Sequence, residues 1–399
     1  MNLTSTKTKM PLYTTILLSQ FVTLFPVFIS VVGLHGNQVI SVLYYFCMTW
    51  ATFLLLRYTF SNHLDLDFFQ KVFFVWVIYL YIKAVPDIFD AYFNHINLKH
   101  FLTEYMFLYA IPLFMITKLN LRFLRKIFAF QYVLLILYLI IAVFFNKWRG
   151  EWYTILVEGS IIIIMTWPYH ANRKRMLVMV AVILVIIGMM ISARRNKVVF
   201  FGGGLFLALV INLLTKSDMG ITRKISILIV ALIFGLGIYL NLDSFSFFFE
   251  RVETGMESRE QIITLFQRDF NSHPSDWVFG RGLYGVFDGG ILNTNEELGV
   301  RDGIENGYYF LILKGGWLWL GLLILISLKA IYNGLFKSNN LLCKGFAMII
   351  LLYYLDMIGY GIPQTSMKYI MVFISIAGCN TEWLRQMSDI QLSKEIGLK

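Results

Sequence analysis

Long apolar runs separated by short polar segments repeat along the whole chain of 399 residues. Most runs hold about 17 to 24 residues, and about 20 helical residues cross the roughly 30 Å hydrocarbon core of a bilayer. The pattern predicts an all-α integral membrane protein, with about twelve transmembrane helices in a single polytopic domain over residues 1–399. The predicted spans are 11–34, 39–57, 71–93, 101–117, 127–145, 154–169, 177–193, 198–214, 225–242, 306–328, 341–360 and 367–384.

Composition supports a membrane environment. Hydrophobic residues make up 58% of the chain and charged residues 15%, which leaves too little polar surface to cover a soluble globule. The net charge of +10 could suggest a nucleic-acid partner, but the basic residues fall in short loops between spans. Membrane orientation explains them, so no nucleic-acid partner is predicted. Lys7 and Lys9 precede a first apolar stretch too long for a signal core, and we expect that stretch to remain as the first span.

The distribution of cations sets the orientation. If both termini are cytoplasmic, three inside loops become strongly basic, as the positive-inside rule requires. Their cations are Lys118, Arg122, Arg125 and Lys126, then Arg173, Lys174 and Arg175, then Lys216, Arg223 and Lys224. One long loop, 243–305, then lies on the non-cytoplasmic side.

One short outside turn violates this rule. Arg194, Arg195 and Lys197 follow Ser192 between the seventh and eighth predicted spans. Cations held at the wrong surface are costly, so this turn predicts a functional site for an anion. The alternative is an anchor that snorkels to the interface or contacts a lipid headgroup.

Five carboxylates fall in the outer parts of predicted spans, and such charges usually face a bundle interior or a wet cavity. These residues are Asp87, Asp90, Glu104, Glu158 and Asp356. Together they predict a polar chamber open to the outer leaflet, with Lys83 and Lys314 near its floor. For any single carboxylate, the more common role is a structural pair with a buried lysine or arginine.

The long loop has a helical pattern of its own. Apolar residues from Ile262 to Phe270 predict a short amphipathic helix that begins near Ser258. Gly280-Arg281-Gly282 then predicts a tight turn.

Three stretches, taken in order, resemble the O-antigen polymerase and ligase superfamily of bacterial membrane glycosyltransferases. They are Ser192-Ala193-Arg194-Arg195; then Arg259 followed by Phe279-Gly280-Arg281-Gly282; then Glu305-Asn306-Gly307-Tyr308-Tyr309 continuing through Lys314-Gly315-Gly316 to Leu320-Gly321. The resemblance covers residues 177–330 in motifs and the whole chain in architecture. Ligases of the superfamily typically have His where this chain has Glu305, which favours a polymerase.

The resemblance implies a GT-C-like membrane glycosyltransferase with one long periplasmic loop, in the bacterial inner membrane, with its active site facing the periplasm. It implies that the protein joins undecaprenyl-pyrophosphate-linked glycans, donor to acceptor, into a surface polysaccharide such as O-antigen, enterobacterial common antigen or capsule. It implies no metal and no other cofactor. Further expected partners are membrane lipids and a chain-length regulator protein.

The resemblance also assigns roles to residues. Arg194 or Arg195, together with Arg259, is expected to hold the pyrophosphate leaving group, with Arg281 as a weaker candidate. Glu305 is the candidate general base, or else part of an N-terminal helix cap with Asp302. Five further residues are candidate substrate contacts beside Arg281: Asn306, Tyr308, Lys314, Asp87 and Glu158. Asn306 and Tyr308 are placed to orient sugar hydroxyls, or else simply lie at the membrane interface. Gly315, Gly316 and Gly321 are expected to permit close helix packing.

Two other functions remain open at this point. One is an O-antigen ligase or another transferase of the superfamily. The other is a flippase or transporter for lipid-linked sugars, which would also have many spans and a cationic cavity. Transporters commonly contain internal repeats with broken helices in matching halves. The chain shows no such pairing, and its one long loop is asymmetric.

Overall fold

A computed structural model describes residues 46, 49, 50, 53, 57, 66–88, 106–117, 119, 121–144, 151–192, 195–215, 260–290, 299–359 and 366–396. The predicted spans 11–34 and 225–242 lie outside these residues, and only single residues of the predicted span 39–57 are described.

The described elements are almost all helical. Before the long loop these are α1 (Phe68–Ile88), α2 (Met106–Ala110), α3 (Leu121–Phe144), α4 (Glu151–Glu158), α5 (Ile161–Met165), α6 (Asn172–Ile191) and α7 (Arg195–Thr215). Within and after it are α8 (260–272), α9 (Pro274–Phe279), α10 (Gly307–Phe336), α11 (Leu341–Asp356), α12 (Met367–Asn380), α13 (Glu382–Gln386) and α14 (Asp389–Ile396). Short 3-10 helices cover Ile111–Ile116 and Trp167–Tyr169. The loop also contains β1 (Phe287–Asp288) and β2 (Val300–Arg301), an antiparallel pair with Phe287 opposite Arg301.

Four of the described helices are long and apolar enough to cross a membrane: α1 over Phe68–Pro86, α3, α6 and α10. The protein is therefore a multi-pass membrane protein, and its described elements are helical apart from the short pair β1 and β2. The prediction of about twelve continuous spans is wrong, because several predicted spans form shorter helices. Two apolar segments fall short of a full span, Thr154–Met165 and Met367–Asn380.

Proline and glycine account for two of the interrupted spans. In the predicted span 101–117, α2 gives way to a 3-10 helix with Pro112 at its start, where the missing N–H cannot continue the α-helical ladder. In the predicted span 154–169, the chain turns at Gly159 and Ser160 between α4 and α5, and Pro168 lies in a final 3-10 turn. Because hydropathy is averaged over many residues, it does not detect such breaks. The sequence therefore predicted one continuous helix in each of these two spans.

The outward faces of the long helices are apolar, as a lipid environment requires. On α1, Val75 is 64% exposed and Ile82 65% exposed, whereas Phe73 and Val77 are buried on the opposite face. The core lies among α10, α11 and α12, where Trp319 is fully buried.

Polar contacts join the helices at two opposite ends of the bundle. At the end we call the basic end, Asn340 caps α11 and donates from Nδ2 to Leu384 O at 2.7 Å. There the Asp389 carboxylate of α14 accepts from Tyr169 Oη and from Leu341 N at 2.8 Å. At the other end, which we call the loop end, α10 and α12 begin and α11 finishes.

Candidate functional site

Two buried ion pairs lie together at the loop end. Lys197 of α7 pairs with Glu158 of α4, and Lys368 of α12 pairs with Asp356 of α11. All four side chains are buried, and Asp356 also interacts electrostatically with Lys197 and Glu158. We call these four residues the buried charge cluster. Ionisable groups that are buried inside a membrane bundle usually pair with one another, as they do here.

Glycine lets α7 approach its neighbours closely enough to form the cluster. A Cβ atom at Gly204 would lie 2.0 Å from Ile161 Cδ1 of α5. A Cβ atom at Gly203 would lie 3.3 Å from Leu352 Cδ1 of α11. Because α7 packs this closely against α5 and α11, Lys197 in the first turn of α7 reaches Glu158 of α4.

One atom of the cluster retains unused acceptor capacity. Glu158 Oε2 is buried and accepts no hydrogen bond from the residues that the structure describes. An uncompensated carboxylate oxygen away from water is costly, so the pair with Lys197 carries most of the compensation for this charge.

The end of α11 connects the buried charge cluster to the start of α10. Met357 O accepts from Gly307 N at 2.8 Å, and Asn306 Nδ2 donates to Ile358 O at 3.1 Å. These residues follow Asp356 directly. The first turn of α7, through Lys197, and the first turn of α10, through Asn306 and Gly307, therefore both interact with residues 356–358 at the end of α11.

Asn306 is the N-cap of α10. Its Oδ1 accepts from Tyr308 N at 3.0 Å and from Tyr309 N at 3.3 Å. The alternative in which Asp302 and Glu305 cap this helix is therefore wrong, since the helix begins at Gly307. Glu305 is exposed beside the cap.

The loop is inserted into a break in α10. Gly316 has φ 72° and ψ 178°, which interrupts the helix, and Gly280 has φ 67°. A Cβ atom at Gly316 would lie 2.1 Å from Val278 O, and a Cβ atom at Gly280 would lie 2.5 Å from Gly316 N. Only residues without a side chain permit this backbone contact at positive φ.

Donors from three directions satisfy carbonyl groups at the break. Arg281 N donates to Leu313 O at 2.8 Å, Tyr109 Oη to Lys314 O at 2.6 Å, and Trp76 Nε1 to Gly315 O at 3.1 Å. The break is thus a docking point for the loop. Gly316 therefore does more than permit helix packing, whereas no atom lies within 4 Å of a Cβ built at Gly321.

Two lysines also hold the loop turn, which we define as residues 280–285. Lys83 Nζ of α1 donates to Gly280 O at 2.7 Å. Lys314 Nζ, which is buried, donates to Leu283 O at 2.9 Å and Gly285 O at 3.0 Å. Both lysines therefore bind backbone carbonyls of the loop.

Arg281 is the centre of a polar cluster within the loop. Its Nε donates to Asp276 Oδ2 at 2.7 Å, and its Nη1 donates to Asp269 Oδ2 at 2.6 Å and to Val286 O at 2.7 Å. The guanidinium carbon also lies 4.7 Å from the centre of the Phe270 ring. These contacts fold α8, α9 and the loop turn onto one another.

Arg281 and the aspartates that it contacts favour each other's charged forms. Burial raises the pKa of the Asp269 carboxyl, but hydrogen bonds from Arg281 and from the Asp288 N–H outweigh burial and leave that pKa below its usual value. Burial lowers the pKa of Arg281, but its hydrogen bonds to Asp269 and Asp276 outweigh burial and raise it.

This shift gives a pH prediction for the loop. Because the folded-state pKa of Asp269 is lowered, ionised Asp269 stabilises the loop above the usual aspartate pKa of about 4. That contribution is lost as the pH falls through the lowered value. We expect protease cleavage of the loop to be constant from pH 8 to about pH 5 and to rise below about pH 4. Arg281→Gln should be cleaved faster at neutral pH and should lack most of this acid transition.

Arg268→Gln is the matched control, because Arg268 is exposed on the same helix α8. It should retain the wild-type cleavage rate and acid transition. An unchanged acid transition in Arg281→Gln would contradict the assignment to Asp269.

The remaining predicted site residues lie as follows. Tyr308 Oη donates to Tyr354 O at 2.8 Å. Arg195 is the first residue of α7 and Asp87 lies in α1, and the side chains of both are outside the described residues. Arg194 and Arg259 are also outside them.

Sequence reasoning did not single out Lys197 and Lys368 as partners of the span carboxylates. Lys368 lies in an apolar run, so the rule that identified Glu158 and Asp356 also applied to it. Lys197 was grouped with the arginines before it, and its pairing across 39 residues has no local signal.

Neither a group of metal ligands nor a known relative assigns a further role to these residues. Among the residues that the structure describes, no three His, Cys, Asp or Glu side chains are grouped to hold a metal ion. Comparisons of the chain with family models, curated proteins and solved structures found no significant match.

Proposed function

We propose that this chain is a membrane glycosyltransferase of the O-antigen polymerase type. It would join undecaprenyl-pyrophosphate-linked repeat units into a surface polysaccharide. Its termini would be cytoplasmic, in the bacterial inner membrane, and its loop end periplasmic. The support from sequence is the order of three motif regions, around Ser192–Arg195, Gly280–Gly282 and Glu305–Tyr309.

The structural observation that best supports this proposal is the junction at residues 356–358. Asp356 belongs to the buried charge cluster with Lys197, two residues after Arg195, and Ile358 O accepts from Asn306. The start of α10 and the first turn of α7, which follows the Ser192–Arg195 region, therefore both interact with one end of α11. The third motif region adjoins α10 at its break, where Gly280 contacts Gly316.

The proposed reaction requires positive charge beside the lipid pyrophosphate as it departs. Guanidinium groups can supply it through paired hydrogen bonds to phosphate oxygens, and Arg194, Arg195 and Arg259 are the candidates. In this proposal, Glu305 accepts the proton of the attacking sugar hydroxyl, for which a carboxylate needs hydrogen-bond reach and a suitable pKa.

A transporter is the less favoured function. The broken helix α10 has the form that transporters use to present backbone carbonyls to ions or substrates. Here the carbonyls of Leu313, Lys314 and Gly315 instead accept from Arg281 N, Tyr109 and Trp76. The break is thus occupied by the protein itself.

The proposed reaction is tested in a strain that lacks this protein. We expect single repeat units to reach the cell surface and long polymer to be absent. A flippase would instead leave the repeat units inside. If long polymer still forms on the undecaprenyl carrier and only its attachment fails, the protein is a ligase and the polymerase proposal is wrong.

Charge-retaining substitutions test the arginines. Arg195→Lys and Arg259→Lys should each reduce polymer formation about tenfold or more at normal protein levels, because lysine cannot make the paired contact with phosphate. Arg268→Lys, on the exposed face of α8, is the control and should remain fully active. Polymer length and amount on gels report the result. Full activity of both test variants would remove these arginines from the mechanism.

A further inference from the structure

The position of the loop turn relative to the membrane can be estimated from an ion pair near the basic end. Lys329 Nζ of α10 lies 2.5 Å from Asp67 Oδ2, and the two side chains are 52% and 29% exposed. Asp67 precedes α1, and its Oδ1 accepts from Gln70 N at 2.8 Å. A helix N-terminus and an exposed ion pair belong at the polar boundary of a membrane, because neither is stable in hydrocarbon.

The length of α10 then gives the depth of its break. From Lys329 to Gly316 a helix rises about 20 Å at about 1.5 Å per residue, whereas the hydrocarbon core is about 30 Å thick. Gly316 therefore lies about 10 Å below the loop-end boundary, and any tilt of the helix places it deeper. Gly280 contacts Gly316 directly, so the loop turn begins at that depth.

The hydrogen bonds of the loop turn are those that a buried, non-helical segment needs. Irregular backbone is tolerated at membrane depth only where protein or cavity water satisfies its polar groups. Lys83 and Lys314 donate to three carbonyls of this turn, and Arg281 N pairs with Leu313 O. Two lysines on membrane-crossing helices thus replace the water that a surface loop would bind.

The side chains just before the turn are apolar and exposed. Val278 is 42% exposed and Phe279 44% exposed. The Phe279 ring centre lies 6.0 Å from that of Trp76 on α1, beside the lipid-facing row that includes Ile82. At the depth of Gly316, an exposed apolar side chain beside the lipid-facing residues of α1 contacts lipid acyl chains.

We propose that α9 and the loop turn form a re-entrant element, in which Val278 and Phe279 contact the acyl chains of the loop-side leaflet. The element enters that leaflet beside α1, turns at Gly280 against the break in α10, and returns to the polar side through Arg281. This inference does not depend on the proposed glycosyl transfer, because it concerns only how the chain sits in the bilayer.

Spin labels on the full-length protein in lipid bilayers test the element. Single cysteines are introduced as Phe279→Cys or Val278→Cys after Cys47, Cys343 and Cys379 are replaced by alanine. Accessibility to oxygen, which concentrates in lipid, is compared with accessibility to a water-soluble nickel complex. Ile82→Cys on the exposed face of α1 is the lipid control, and Asp288→Cys, exposed on β1, is the water control.

We expect labels at 278 and 279 to match the label at 82, with oxygen collisions several-fold above nickel collisions. The label at 288 should show the opposite ratio. Nickel accessibility at 278 and 279 equal to that at 288 would place α9 in water and overturn the proposal. Protection from both reagents would also overturn it, because another part of the protein would then cover these side chains. The two positions report independently, so a variant that fails to elute as a single species does not remove the test.

Discussion

Replacing Lys197 with methionine is expected to destabilise the protein by about 3–5 kcal/mol, the cost of removing one partner of a buried ion pair. Methionine fills a similar volume, so the main loss is the compensation of the Glu158 charge. That carboxylate is fully buried, and its Oε2 accepts no hydrogen bond from the described residues. The midpoint of thermal unfolding in detergent should therefore fall clearly below that of the wild-type protein.

A double variant separates the charge from the packing. Lys197→Met combined with Glu158→Gln leaves no buried charge in this pair, and replacement of both partners is often nearly neutral. It should recover most of the lost stability. Lys344→Met is the matched control, since Lys344 is partly exposed at the other end of α11, and it should change stability by less than about 1 kcal/mol. Equal effects of the Lys197 and Lys344 substitutions would show that the pair does not stabilise the bundle.

Gly316→Ala is expected to release the loop from the bundle. The new Cβ atom would meet Val278 C at 2.4 Å and Val278 O at 2.1 Å, and a backbone group cannot move aside as a side chain can. The φ of 72° and ψ of 178° define a conformation populated almost only by glycine, which adds roughly 1–3 kcal/mol for any residue with a Cβ. Loss of the Arg281 N–Leu313 O hydrogen bond would follow, and the loop should become several-fold more sensitive to protease.

Gly321→Ala is the control within the same helix. No atom lies within 4 Å of a Cβ built at Gly321, and alanine favours a helix over glycine by about 1 kcal/mol. This variant should keep the loop protected and be as stable as the wild-type protein or more so. If Gly316→Ala behaves in the same way, the contact between α9 and α10 is not what holds the loop.

Hydropathy identified the long helices because each holds a continuous apolar run. The predicted spans 71–93, 127–145, 177–193 and 306–328 correspond to α1, α3, α6 and α10. The same measure cannot detect a break at Gly316, because the residues on both sides are apolar and the break depends on a loop that packs against it. Glycine in a membrane helix favours close packing on average, and the sequence alone does not reveal that its partner here is Gly280.

The ionisable residues of the candidate site were predictable from the sequence, but their interaction partners were predictable only in part. Glu158 and Asp356 were identified as span carboxylates, for which pairing with buried cations was the more common expectation, and both have lysine partners. The partners come from other helices, and pairing between helices requires the packing to be known. The cap of α10 was also not decided by the sequence. Asp302, Glu305 and Asn306 are all polar residues near the start of this helix, and only Asn306 caps it.

The last helix affects how this protein can be altered for expression. Asp389 is the acceptor for the first backbone N–H of α11, while Leu392 and Ile396 are buried. An affinity tag that replaces residues from Asp389 onward would uncover one end of α11 and an apolar strip on the bundle. A tag joined after Ile396 leaves those contacts in place.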